Sequence, residues 1–155
     1  MFPRISQYGD SAMGSWNELD AVYPPGALTP ATAFVVAFGH LAGAASVYAP
    51  DGGLAAFVRR HCAALAPTAD LLERAERFLG VVPLDQFAAE LRARLTPEQR
   101  RCLALNLLDA TVGRPAPARP AALELLLEAL DLDQQLLRRY REVLLAKNEL
   151  EVFAQ

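Results

Sequence analysis

Prolines and their polar neighbours cut this chain into pieces of helical length. Thr29-Pro30 sets a capping side chain before a proline that fits the first helical turn without forfeiting a hydrogen bond. Thr96-Pro97-Glu98-Gln99 repeats that opening and adds a glutamine three residues after the threonine, the spacing of a capping box. Pro50, Pro67 and Pro83 mark stops, because proline lacks a backbone donor and disfavours helix at the residue before it.

Between these marks the predicted helices run from Pro30 toward Ala49, from Leu54 to about Leu65 with Asp51 as cap, and from a Thr68 cap to Gly80. A fourth covers Leu84 to about Leu95, and a fifth runs from Pro97 through Asp109. After Pro115, Pro117 and Pro120, leucines at 123, 126, 127 and 130 recur at helical spacing. Asp131 and Gln134 suit a further capping box. Leu136, Leu137, Tyr140 and Leu144 then give a last helix its apolar face, opposite Arg138, Arg139 and Arg141. No run alternates as a strand would. The fold class is therefore all-α, a compact bundle of about seven helices.

Leu28-Thr29-Pro30 and Leu95-Thr96-Pro97 each introduce a mostly apolar helix, a Gly-containing loop and a shorter amphipathic helix, which suggests two pseudo-repeated helical hairpins packed together. The segments 31–48 and 102–110 are apolar around most of their circumference and should lie innermost. Residues 1–28 lack helical periodicity yet carry Phe2, Tyr8, Trp16 and Tyr23, and read as an irregular aromatic arm ahead of a domain spanning 29–150.

At 155 residues, 53% of them hydrophobic and 21% charged, the chain suits one well-filled core. A net charge of −3 with no basic stripe argues against nucleic acid as a partner. The N-terminus has no apolar run behind a basic start, so a cytoplasmic location is expected, and the apolar stretch 31–48 reads as a buried helix rather than a membrane span. The two cysteines, Cys62 and Cys102, have no metal-ligand spacing and read as buried reduced thiols.

The run from Leu95 to Asp133 resembles the C-terminal half of a TerB-like domain, found in tellurite-resistance proteins and at the front of some DnaJ-type co-chaperones. Leu95-Thr96-Pro97-Glu98-Gln99-Arg100 matches the opening of that pattern and Leu130-Asp131-Leu132-Asp133 its end, while Ala49-Pro50-Asp51-Gly52 is similar to its first acidic loop. In all, the resemblance covers roughly 29 to 147. It implies a helical fold, a stress-response role and a hard-cation site in which an Asp beside a Gly and a later Glu converge oxygens on one ion. This chain departs from the pattern: Val112 stands in the second loop's Asp position, Arg119 in its Glu position, and Phe57 or its neighbours Ala56 and Val58 where the first loop's later acid belongs.

Asp51 and Asp109 are thus the candidate metal ligands, set against the simpler readings of a helix cap for Asp51 and a surface ion pair for Asp109, with Arg114 or Arg119 as its partner. Those arginines could supply the charge that an ion supplies in relatives. No P-loop, G-x-S-x-G or H-E-x-x-H occurs, His40 reads as a core histidine and His61 is not placed beside it, so no enzymatic activity and no cofactor are expected.

The function expected is an interaction or scaffold module, with Trp16, Tyr23, Asp51, Gly113, Arg114 and Arg119 as candidate partner contacts, an unidentified protein as partner, and a homodimer through the arm as a further option. The alternatives are a divalent-metal sensor built on Asp51 and Asp109, and a small-ligand enzyme around His40.

Overall fold

The protein is seen here as a computed structural model that describes residues 28–43, 52–112 and 120–154. Among the described residues there are seven α-helices and no strand. In chain order these are α1 Pro30–Ala42, α2 Gly53–His61, α3 Ala69–Val81, α4 Leu84–Arg94, α5 Pro97–Asp109, α6 Pro120–Leu130 and α7 Gln134–Asn148. Short 3-10 turns follow α2 at Ala63–Leu65 and α7 at Leu150–Phe153.

Helix α1 is the hub. It carries no Asp, Glu, Lys or Arg, and Ala33, Val35, Val36, Ala37, Phe38 and Leu41 are fully buried. A helix apolar all round satisfies its own backbone internally and needs neighbours on every side. Those are α2, α3, α4, α5 and α6, of which α3 shares the most extensive contact. Phe38 stacks on Phe34 and tilts against Phe57 of α2, at centroid separations of 5.1 and 6.0 Å. A second seam joins α4 to α6, where Phe87, Leu91, Leu126 and Leu130 are fully buried. Helix α7 lies at the margin, where it packs on α5, buries Leu137 and Leu144, and is tied to α6 by Arg141 and Glu124 at 2.9 Å.

The expected caps hold at three places. Thr29, Thr68 and Thr96 each accept a hydrogen bond from the backbone N–H three residues on. At Thr96 the Gln99 side chain also reaches back to accept from the cap N–H at 2.9 Å, completing the capping box.

Several boundaries differ from the sequence reading. Helix α1 stops at Ala42, well before Pro50, because Gly43 adopts φ +84° and its N–H closes the last turn on the Gly39 carbonyl at 2.9 Å. Gly52, at φ +111°, holds the cap position of α2 with no side-chain bond, and Asp51 lies outside the described residues. Gly80 falls inside the last turn of α3, which ends at the extended Val82. The cap of α7 is Asp133, whose side chain accepts from Leu136 N–H at 3.2 Å, since Asp131 is turned into the left-handed region at φ +53°. Helix α5 buries Leu103, Ala104, Leu107 and Leu108 but exposes its other face, so it is less interior than α1. Of the predicted arm only Leu28 is described, and it is buried; Trp16, Tyr23 and the rest of the arm lie outside the described residues. No described helix is long and apolar enough to cross a membrane.

The α1–α3 crossing is close because Gly39 has no side chain: a Cβ there would collide with Leu79 of α3. Gly39→Val should therefore destabilise the protein by about 1–3 kcal/mol despite the better helix propensity of valine. Urea denaturation measures this, and an unchanged midpoint would mean that the crossing is not tight.

Candidate functional site

Of the candidate metal-binding and partner-binding residues, Asp109 is the one that lies among the described residues. It ends α5 and accepts a hydrogen bond from Lys147 Nζ of α7 at 2.8 Å. Arg114 and Arg119, the partners expected from the sequence, lie with Asp51 and Gly113 outside the described residues. Lys147 sits in the last turn of its helix, where a cation also meets the negative end of the helix dipole. One residue further, Asn148 Nδ2 donates to the Val112 carbonyl at 3.1 Å, so α7 grips the end of α5 at two points. Thr111 completes the corner by donating its hydroxyl to the Leu107 and Leu108 carbonyls, each at 3.1 Å. The Thr111 hydroxyl and the Asn148 amide thus add donors to carbonyls at the end of α5.

The family pattern would set acids at two of the described positions. Val112 packs against the core, and Phe57 is buried with its ring against Phe38 and His61. Both places are apolar surroundings in which a carboxylate would lose hydration. Among the described residues no group of three or more His, Cys, Asp or Glu side chains is arranged to hold a metal ion.

Along the same face of α5, Cys102, Asn106 and Asp109 follow at i, i+4 and i+7. Asn106 Nδ2 donates to the Cys102 carbonyl at 2.8 Å and contacts Cys102 Sγ at 3.6 Å. Its Oδ1 accepts from the Cys62 thiol, which arrives from the end of α2 at 3.7 Å. Cys62 is buried, as the sequence suggested, but Cys102 is exposed, because it lies on the outward side of α5. Burial pushes the Cys62 thiol up from 9.0 to about 12, and nearby Cys102 and Asp109 reinforce the rise by opposing a second negative charge. The Cys-x3-Asn-x2-Asp spacing was legible in the sequence as one helical face. Nothing there signalled that Cys62 or Lys147 would meet it.

The two histidines lie against different rings. His40 is buried in α1 with its ring 5.3 Å from that of Phe87, whereas His61 packs on Phe57 at 4.7 Å. A small apolar cleft of about 110 Å³ opens near the start of α1, lined by Pro30, Phe34, Leu65, Leu95, Cys102 and Leu103 among others, and His40 is not part of it.

Arg100 donates to the Leu130 carbonyl at 3.2 Å, closing the C-terminus of α6, and Arg141 pairs with Glu124. Compared with protein families, curated proteins and solved structures, the chain matches none.

The raised Cys62 thiol has a consequence for stability. Below pH 9 the thiol is protonated whether the chain is folded or not; between pH 9 and about 12 the unfolded chain releases a proton that the folded one keeps. Stability should therefore fall as pH rises through that window, and Cys62→Ala should lessen the fall. Urea midpoints for both proteins at pH about 8.5 and about 10.5 measure the difference. Equal slopes would show that burial does not hold the proton on Cys62.

Proposed function

We propose that this chain is a non-enzymatic interaction module, of the TerB-like tellurite-resistance or stress-response kind that Leu95–Arg100 and Leu130–Asp133 resemble, acting by presenting a helical surface to another protein. The observation that carries the reading is a run of large apolar side chains left in water at the end of the described chain: Leu145 is 52% exposed, Leu150 68%, Val152 53% and Phe153 84%. Exposed leucines are common singly, but several within nine residues, ending on a phenylalanine, suit a contact surface. Aromatic side chains of this sort carry much of the energy of protein interfaces.

The chemistry of Asp109 points the same way. Its carboxylate is engaged by Lys147, so a divalent ion there would have to displace an ammonium already in place. A metal-sensing role would rest on Asp51 together with Asp109, and one or two carboxylates fall short of the six to eight oxygens that Ca²⁺ takes.

Leu150→Ser combined with Phe153→Ser tests the interaction reading. The double variant should keep the circular dichroism and melting temperature of the parent yet lose a protein partner that the immobilised parent captures. Equal capture by both would remove this surface from the argument. In parallel, calorimetric titration with Ca²⁺, Mg²⁺ and Mn²⁺ should give no stoichiometric binding; a one-to-one site abolished by Asp109→Ala would establish the metal sensor instead.

A further inference from the structure

One primary amide joins the two cysteines of the chain. Asn106 Nδ2 stands 3.6 Å from Cys102 Sγ, and Asn106 Oδ1 stands 3.7 Å from Cys62 Sγ. Ordinary bond lengths hold the oxygen and nitrogen of an amide about 2.3 Å apart, so both sulfurs sit against the same small planar group. Asn106 is anchored on its own helix by the bond to the Cys102 carbonyl, which fixes one side of this arrangement.

The two thiols have unlike surroundings. Cys102 is exposed and borders the apolar cleft at the head of α1, where a small molecule can reach it. Cys62 is buried and held as the neutral thiol. Its backbone, at φ −142° and ψ 59°, has left the helix, and the turn that follows ends on Ala66 in the left-handed region at φ +41°. Cys62 is therefore a non-helical joint between α2 and the 3-10 turn at Ala63–Leu65, a place where a local change of backbone angles can move its sulfur toward α5.

We propose that Cys62 and Cys102 form a reversible redox pair, in which Cys102 is the thiol attacked by a hydroperoxide and Cys62 is the resolving thiol. This is independent of the interaction reading above. With hydrogen peroxide, the Cys102 sulfur attacks one peroxide oxygen and the O–O bond breaks. Cys102 becomes a sulfenic acid, and the departing hydroxide takes up the thiol proton as water. The Cys62 sulfur then attacks the sulfenic sulfur, the S–O bond breaks, and the hydroxide leaves with the Cys62 proton as a second water. Two thiols and one peroxide give one disulfide and two waters, with two electrons passing from sulfur to oxygen.

The order of events follows from the surroundings: Cys102 is exposed to a peroxide in solvent and Cys62 is shielded from it, so Cys102 is oxidised first. Bond formation requires Asn106 to swing from between the sulfurs. The bridge would fasten the end of α2 to the first half of α5 and close a loop that contains α3 and α4.

The test uses the full chain, reduced and then treated with a small excess of hydrogen peroxide at neutral pH. Intact mass should fall by about 2 Da, both thiols should resist alkylation after denaturation, and a single Cys62–Cys102 peptide should appear. Dithiothreitol should reverse all three, and the melting temperature should rise by about 5–10 °C on oxidation, as expected for closing a loop of this length. Cys62→Ser should instead accumulate oxygen on Cys102, gaining about 16 or 32 Da. The proposal is overturned if the parent protein itself gains oxygen on Cys102 while Cys62 stays free to alkylate once unfolded, or if the oxidised product is a disulfide-linked dimer.

Discussion

Everything in this fold depends on the burial of α1. Its segment, Pro30–Ala42, has no Asp, Glu, Lys or Arg and presents apolar or small side chains in every direction, so it can exist in water only inside a sleeve of other helices. Five helices supply that sleeve, and each turns toward α1 the apolar part of a mixed surface. The small residues of α1 matter as much as the large ones. Gly39 lets α3 approach until Leu79 lies over the backbone, while Phe34 and Phe38 fill the space toward α2. Moving α3 or α2 outward would open a void beneath side chains that are now fully buried, and voids of that kind are costly.

The caps and the leucine seam were readable from the chain because both are local. Thr29 and Thr96, each followed by proline, even adopt the same cap geometry at φ −69° and ψ 163°. Leu123, Leu126, Leu127 and Leu130 are all buried, as their spacing required. What the sequence hid were choices between near-equal local options. Gly43 and Pro50 could each end α1, and the glycine acts first by turning to positive φ. Asp131 and Asp133 could each cap α7, and Asp131 is spent on the turn, where its carboxylate meets Arg92 of α4 at 2.6 Å. That ion pair links elements almost forty residues apart, so no local rule could have selected between the two aspartates.

The candidate site was half readable for the same reason. Asp109 is legible as a candidate at the end of a helix, but Lys147, which pairs with it, is brought back 38 residues later by α7. Asn106 was overlooked because a lone asparagine inside a helix usually signals nothing more than a bond to the carbonyl one turn earlier, a bond that it does make. Its second role, as the amide between two sulfurs, exists only once the fold brings Cys62, 44 residues earlier, to its side chain.

The division of the molecule into a crowded half and an open half bears on how it can act. Helices α1 to α6 share buried contacts with several neighbours, whereas α7 has one extensive contact, with α5, supported by ion pairs at Arg141 and Lys147 whose partners are partly hydrated. Such pairs contribute little stability singly. Leu137 and Leu144 are the buried side chains of α7, and the apolar side chains beyond them, Leu145, Leu150 and Phe153, are left outside. A partner that covers them can fasten α7 without disturbing the sleeve around α1. The stability of the core and the freedom of this surface are thereby separable in one small domain.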